Sequence, residues 1–223
     1  MRREITSRRS LPHWYKPGAI FFLTYRLAGS LPVEVMQRLR AQQQAFLNQP
    51  PAPGTTRLEQ REKAHKIWFR DYDTALANRK VAAMVRGNLY HHHGTKYYLL
   101  AYCIMPNHVH VVLQPTAEFE QQVFDHIGDR DDGRSPLTEI MHSLKSYTAH
   151  EANHLLDRDG AFWQRESYDH WIRSEDELER IVHYVQANPV EAGLSECPEE
   201  FWWCSCHDRV LQDGEVTAWL GWK

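Results

Sequence analysis

The stretch KYYLLAYCIMPNHVHVVLQ, residues 96–114, decides the fold of this chain. It holds two apolar runs that are separated by Pro106 and Asn107, a dipeptide typical of a tight turn. The runs are Lys96–Met105 and His108–Gln114, and both are rich in the β-branched and aromatic residues that strands favour. The stretch therefore predicts two antiparallel strands joined as a hairpin.

The second strand of this hairpin carries a pair of histidines, His108 and His110. Side chains alternate along a strand, so residues two positions apart lie on the same face and their imidazoles lie side by side. Val109 then points to the opposite face, into a core. Two interpretations fit such a pair, either two metal ligands or two ordinary half-buried strand residues.

The segments around the hairpin predict further strands and helices. Gly18–Leu27 is β-branched and aromatic and predicts a buried strand. Leu137–Leu156 places apolar residues along one side of a helix, and the aromatic-rich segment Ala161–Arg173 predicts another strand. A last helix is expected to begin after Ser174, which opens a capping-box pattern, and to end before Pro189.

The intervals between these elements complete the predicted fold. Residues from about 32 to 93 predict a helical insertion after the first strand. Residues from about 116 to 135 contain a run of glycines and aspartates and predict a flexible loop. Strand, helices, hairpin, helix, strand and helix in this order predict a ferredoxin-like α+β fold, in which helices cover one face of an antiparallel sheet.

Composition excludes several classes of protein. The chain has 223 residues, of which 42% are hydrophobic and 25% charged, as expected for one domain over residues 1–223. No apolar run approaches the roughly 18 residues that a membrane-spanning helix needs, so we expect no membrane partner. The first residues are charged and lack the apolar segment of a secretory signal, which favours the cytoplasm.

Charge is distributed unevenly, although the formal net charge is only -3. Residues 1–26 contain six basic residues and one acid, so this segment, with Arg8 and Arg9, is a candidate for phosphate contacts. A basic segment that only faces water is the alternative. Residues 175–200 reverse the balance, with eight acids and one arginine. A polyanion would therefore bind one part of the surface and be repelled by another.

Two other groups of residues imitate metal sites. Cys204, Cys206 and His207, with Cys197 upstream, resemble part of a zinc site but lack its paired spacing, so buried or idle thiols are the favoured interpretation. Residues 91–93 are three consecutive histidines. On a helix, consecutive residues point about 100° apart and cannot all ligate one ion, so a solvated helix end is favoured there.

A tyrosine and an amide share one face of the last predicted helix. Tyr184 and Asn188 are four residues apart, so their side chains project together. From this spacing alone, packing in the core is the favoured role of Tyr184. Tyr147 on the preceding helix continues an apolar stripe, and core packing is predicted for it as well. No amide follows it four residues on, because position 151 is Glu151.

Three separated motifs resemble one family, the REP-associated tyrosine transposases, a branch of the single-tyrosine HUH transposases. The motifs stand in the family's order at residues 105–113 (MPNHVHVVL), 162–170 (FWQRESYDH) and 184–194 (YVQANPVEAGL). The likeness extends from about residue 11 to about residue 205. Three motifs in the right order are far more specific than any one of them.

The resemblance implies a metal-dependent endonuclease and strand transferase that acts on single-stranded DNA near REP-type hairpins through a covalent 5′-phosphotyrosine. It implies His108, His110 and Asn188 as ligands of Mg²⁺ or Mn²⁺, and Tyr184 as the nucleophile. It also implies a cytoplasmic protein associated with the nucleoid. The residues do not decide between a monomer and a homodimer. Candidate phosphate contacts are Lys145, Arg165 and Arg173, together with the basic N-terminal segment.

Two rival functions compete with this one. The first is a catalytically silent protein of the same fold that only binds structured nucleic acid. A protein that no longer catalyses the reaction could lose any of the implied catalytic residues without consequence. Here all four, His108, His110, Tyr184 and Asn188, are present. The second is a small-molecule metalloenzyme in which the histidine pair binds iron or zinc with Glu166 as a further ligand. It would need no nucleophilic tyrosine and ranks last.

Overall fold

A four-stranded antiparallel sheet organises the computed structural model, which describes residues 5–8, 12–28, 38, 41–42, 45–57, 59–60, 75–128 and 134–211. The strands are β1 (Ile5–Arg8), β2 (Pro12–Tyr15), β3 (Ile20–Arg26), β4 (Tyr97–Met105), β5 (His108–Pro115) and β6 (Tyr168–Ile172). β1 and β2 form a separate hairpin, which the sequence did not predict. The helices are α1 (Arg79–His91), α2 (Ala117–Ile127), α3 (Pro136–Leu156), α4 (Glu175–Glu191) and α5 (Ser205–Leu211).

The connectivity of the large sheet is that of a ferredoxin-like fold. Its strands lie side by side in the order β4, β5, β3, β6, and every neighbouring pair is antiparallel. In chain order these are the second, third, first and fourth strands, with α1 after the first and α3 after the third. The predicted α+β fold class and the predicted hairpin of β4 and β5 are therefore confirmed.

Helices lie on both faces of the sheet, whereas the sequence predicted one covered face. On one face, α1 and α3 pack on the main core, which includes Leu23 of β3 and Val109 and Val111 of β5. On the other face, α4 packs on a second core that includes Phe22 and Val112. Both faces of the sheet carry apolar side chains, so each face must be covered to keep this apolar surface out of water.

Three predicted boundaries are wrong. The predicted loop at 116–135 contains the helix Ala117–Ile127, which is capped where the Thr116 hydroxyl accepts a hydrogen bond from the Phe119 amide. The predicted strand over residues 161–173 is shortened to Tyr168–Ile172. The helix predicted to end before Pro189 is α4, and it continues through Pro189 to Glu191. A proline in the final turn removes only one helical hydrogen bond, and Pro189 is itself buried.

The predicted helical insertion at about 32–93 is described only in part. A 3-10 turn at Ala75–Ala77 and the helix Arg79–His91 confirm helical structure at its end. Much of the remainder lies outside the described residues. None of the helices in the described ranges is long and apolar enough to cross a membrane.

A buried carboxylate fastens the last helix to the rest of the fold. Asp208 of α5 has no exposed surface and accepts hydrogen bonds from the hydroxyls of Tyr102 and Tyr90 and from the Arg86 guanidinium. Burial, followed by the interaction with Asp208, raises the pKa of both phenols, so they remain protonated donors. The network ties α5 to α1 and β4.

We expect Asp208→Asn to destabilise the fold by about 3 kcal/mol, because it removes the buried charge that accepts hydrogen bonds from a half-buried guanidinium and from two hydroxyls. Urea denaturation measures this loss. Asp125→Asn is the matched control, since Asp125 is exposed and accepts a hydrogen bond from Gln121 of its own helix. Equal stability of the Asp208 variant and the control would contradict the anchoring role.

Candidate functional site

The histidine pair lies at the start of β5, on the face of the sheet that α4 covers. His108 and His110 alternate with Val109 and Val111, which face the main core, so both imidazoles face the second core. In the register with β3, His110 is opposite Thr24 and His108 is opposite Arg26. Both histidines are buried. The side-by-side placement expected from the sequence is thus what the structure shows.

A chain of hydrogen bonds orients the two rings. His108 Nδ1 lies 2.6 Å from Asn107 Oδ1, and His110 Nδ1 lies 2.8 Å from Thr24 Oγ1. The two Nε2 atoms face each other at 3.0 Å. With the Asn107 oxygen as acceptor, the His108 tautomer that completes this bond is the one protonated on Nδ1, which presents its Nε2 lone pair to His110.

This geometry suits two cis ligands of an octahedral cation. Two nitrogens that are each about 2.1 Å from one ion, at a right angle, lie about 3.0 Å apart, which is the separation of the two Nε2 atoms. Outer partners on Nδ1 of both rings are typical of metal-binding histidines, because they fix the ring orientation and the tautomer. His108 and His110 therefore fit a divalent ion.

A third ligand beside His108 and His110 is not supplied by another histidine, a cysteine or a carboxylate of the described residues. Among the described residues, no group of three His, Cys, Asp or Glu side chains is arranged to hold an ion. Asn188, the predicted third ligand, is buried in α4, and its Nδ2 donates to the Tyr184 carbonyl oxygen at 2.7 Å. That bond leaves Oδ1 as the ligating atom of the amide. Its role as a ligand stays a prediction.

Tyr184 is exposed beside the histidine pair and is not a core residue, contrary to the role that its spacing alone favoured. Its side chain is 44% exposed, and its ring centroid lies 5.5 Å from that of His110. The ring also meets Phe22 edge-on at 6.0 Å. α4 buries Val182 and Val185 in the second core, which turns Tyr184 toward the edge of that core and the solvent.

Tyr147, the tyrosine of α3, lies on the other side of the sheet. Tyr147 is 52% exposed, so the predicted core packing of this residue is wrong. Its helix, α3, packs Ile140 and Leu144 into the main core, on the face opposite His108 and His110. Tyr147 is therefore separated from the histidine pair by the sheet itself.

A carboxylate at the start of α4 ties this helix to β6. Glu177 accepts a hydrogen bond from the Arg173 amide at 2.7 Å and lies 2.8 Å from Nε2 of His170. The Arg173 amide, followed by His170, lowers the pKa of Glu177. Ser174 caps the helix, as predicted, by accepting from the Glu177 amide. The Glu177 carboxylate, however, accepts from the Arg173 amide, whereas a capping box would have it accept from the Ser174 amide. Tyr184 follows Glu177 by two turns on the same side of the helix.

The predicted phosphate contacts are scattered over the molecule. Arg165 and Arg173 are exposed, and the Arg173 guanidinium lies 5.4 Å from the Trp171 ring centroid. Lys145 lies on α3 and donates to the carbonyl oxygens of residues 164 and 165 at 2.5 and 3.0 Å. Arg9 and the side chain of Arg8 lie outside the described residues. Contact of these residues with DNA stays a prediction.

The two groups that imitated metal sites have other roles. His91 is exposed, as predicted for a helix end, but His92 lies 3.1 Å from the Ser143 hydroxyl and is half-buried. Burial, followed by Lys96, lowers the pKa of His92 to about 4. Cys103, Cys204 and Cys206 are buried and are not joined in disulfides, which agrees with the interpretation favoured for Cys204 and Cys206.

Sequence reasoning missed the residues that support the histidine pair. Thr24 and Phe22 belong to another strand, and only the register of β3 with β5 brings them beside His110. Asn107 was visible as a turn residue, but its contact with His108 depends on the turn geometry. Tyr168 lies in the second motif, but its exposure could not be predicted from the sequence.

Fold and site together define a ferredoxin-like domain with a buried histidine pair beside an exposed tyrosine. No protein-family model matches the chain. It is similar to a Haemophilus influenzae protein named a REP-associated tyrosine transposase, with 25% identity over 128 residues, which cover 55% of this chain and 66% of that protein. The match thus spans slightly less than two thirds of the relative. The resemblance drawn from the three motifs is confirmed by this relative.

A solved structure is also similar in outline. It is described as a REP-associated tyrosine transposase bound to a REP hairpin, and it aligns with a TM-score of 0.46 and 15% sequence identity. The alignment covers 92% of this chain and 87% of that one.

We expect Thr24→Val to weaken the binding of Mn²⁺ by about 10- to 100-fold, because the outer partner of His110 is lost while the side-chain volume is kept. Titration calorimetry of the full chain with Mn²⁺ measures the affinity. Thr95→Val is the control, at an exposed threonine before β4 whose hydroxyl donates to the His92 carbonyl oxygen. An affinity for Mn²⁺ that Thr24→Val leaves unchanged would show that this hydroxyl does not prepare the pair for an ion.

Proposed function

We propose that this chain is a metal-dependent single-stranded DNA endonuclease and strand transferase of the REP-associated tyrosine transposase type. The observation that carries the proposal is the placement of Tyr184, half exposed, with its ring 5.5 Å from that of His110 in a pair suited to a divalent ion. An exposed phenol beside a pair of potential metal ligands has the parts needed for nucleophilic attack on a phosphodiester.

In the proposed reaction, the Tyr184 oxygen attacks a DNA phosphorus and loses its proton. The new Oη–P bond forms as the P–O3′ bond breaks, and the released 3′-oxygen takes up a proton. The product is a 5′-phosphotyrosine, which conserves the bond energy of the phosphodiester. Attack by another 3′-hydroxyl reverses the step and joins DNA strands, whereas hydrolysis would prevent rejoining.

The protein's own contribution is to hold these groups in place. His108 and His110 are buried and oriented by Asn107 and Thr24, and Asn188 would complete the ligand set with its amide oxygen. A bound Mg²⁺ or Mn²⁺ would polarise the scissile phosphate and neutralise the charge that develops on it. A neutral phenol is a poor nucleophile, so Tyr184 needs such electrostatic help to react at neutral pH.

The proposed substrate is single-stranded DNA that folds into hairpins of the REP type. This class follows from the three motifs and from the relative named a REP-associated tyrosine transposase. Chromosomal hairpins as partners would place the protein on the nucleoid in the cytoplasm. Arg165 and Arg173 are exposed and available for phosphates.

Covalent capture tests the proposal. The full chain is incubated with Mn²⁺ and labelled hairpin oligonucleotides from its own genomic neighbourhood, and the mixture is denatured and separated by electrophoresis. We expect the wild type to form a labelled protein–DNA adduct and Tyr184→Phe to form none, because the phenylalanine ring lacks the attacking oxygen.

Tyr147→Phe is the matched control, because this equally exposed tyrosine lies on the opposite face of the sheet. It should give an undiminished adduct. Tight hairpin binding by the wild type without any adduct would instead identify a catalytically silent nucleic-acid-binding protein. Loss of the adduct with Tyr147→Phe and its survival with Tyr184→Phe would reassign the nucleophile.

A further inference from the structure

We propose that Tyr168 is a stacking platform for an unpaired base of the DNA strand whose phosphate lies at His108 and His110. The inference rests on the proposed function, since it needs a DNA strand at the histidine pair. It adds a binding residue and a requirement on the substrate, namely that the nucleotide at this position is unpaired.

The register of the sheet places Tyr168 in one row with the histidine pair. Thr24 of β3 is opposite His110 on one side and opposite Tyr168 of β6 on the other. Directly opposed residues of antiparallel strands point to the same face, so all three side chains face the second core. Adjacent strands are about 4.8 Å apart, which puts the Cα atoms of Tyr168 and His110 about 10 Å apart.

The aromatic rings of this row form a continuous cluster around Phe22. The Phe22 ring centroid lies 5.5 Å from that of His110 and 6.0 Å from those of Tyr184 and Tyr168. Phe22 itself is buried, whereas the two tyrosines are exposed. One exposed ring therefore lies beside the histidines, and the other lies at the sheet edge, which β6 forms.

Exposure gives Tyr168 the surface that stacking needs. Half of Tyr168, 50%, is open to solvent, while its ring makes an edge contact with Phe22 at an interplanar angle of 67°. An aromatic ring that is held by such a contact and still half exposed is a suitable platform for a base. Stacking is tolerant of sequence, because every base has a π-face, so this residue selects unpaired nucleotides and not a particular base.

Two other aromatic residues, Tyr15 and Trp163, do not offer this surface. Tyr15 is buried, and its hydroxyl donates to Glu120 at 2.5 Å. Trp163 is buried in the main core, where its indole donates to Thr148 at 2.9 Å. Tyr168 differs from both, because it is exposed and belongs to the row of the histidine pair.

A fluorescent base reports the stacking directly. Hairpin oligonucleotides carry a single 2-aminopurine, which is moved one position at a time through the unpaired flanks, and each is titrated with the full chain in Mn²⁺. The Tyr184→Phe protein is used so that the DNA stays intact. We expect quenching at one position next to the cleaved phosphate, and Tyr168→Ala should abolish it and weaken binding between about 5-fold and about 150-fold.

Two conservative variants and one control separate stacking from other roles. Tyr168→Phe and Tyr168→Trp should keep the quenching and the affinity, because both retain an aromatic face. Tyr147→Ala, at an equally exposed tyrosine on the opposite face, should change neither. Wild-type quenching and affinity in Tyr168→Ala would overturn the inference, and so would a loss in Tyr168→Phe as large as that in Tyr168→Ala.

The covalent adduct of the wild type, measured on the same oligonucleotides, distinguishes this inference from the proposed function. A chain that shows the position-specific quenching but forms no adduct would contradict the proposed cleavage and support the stacking role. A chain that forms the adduct but quenches no position would contradict the stacking role and support the cleavage.

Discussion

The contact between the two Nε2 atoms of His108 and His110 is the constraint on which the site depends. Two imidazole nitrogens meet at 3.0 Å only because each ring is held at its other nitrogen, one by Asn107 and the other by Thr24. Burial excludes the water that would otherwise compete for these atoms. The two histidines are therefore held in place before an ion binds, so less free energy is spent on ordering their side chains around it.

The sheet converts this local arrangement into a site. Strand alternation sends the main-core residues of β5 to one face and the histidines to the other, so a single strand serves both stability and chemistry. α4 then lies across the histidine face and presents Tyr184 at its edge, while Glu177 fixes the start of the helix to β6. The buried network at Asp208 holds α5 against α1 and β4.

Local sequence patterns predicted the elements well and their surroundings poorly. The hairpin, β3, α3 and the cap at Ser174 follow from periodicity and turn chemistry, which are local. Neither Thr24 nor Phe22 was foreseen, because their contacts with His110 depend on a register between distant strands. The burial predicted for Tyr147 was wrong, because an apolar stripe on a helix does not show which residues at its margin are buried and which are exposed. Proximity of Tyr184 to His110 likewise required the tertiary structure.

Anomalous diffraction from crystals of the full chain grown with Mn²⁺ would test the central claim most directly. The account predicts a manganese peak about 2.2 Å from Nε2 of both His108 and His110, with the Tyr184 hydroxyl directed toward the same space. Manganese bound elsewhere, with the two Nε2 atoms still in contact with each other and no ion between them, would contradict it.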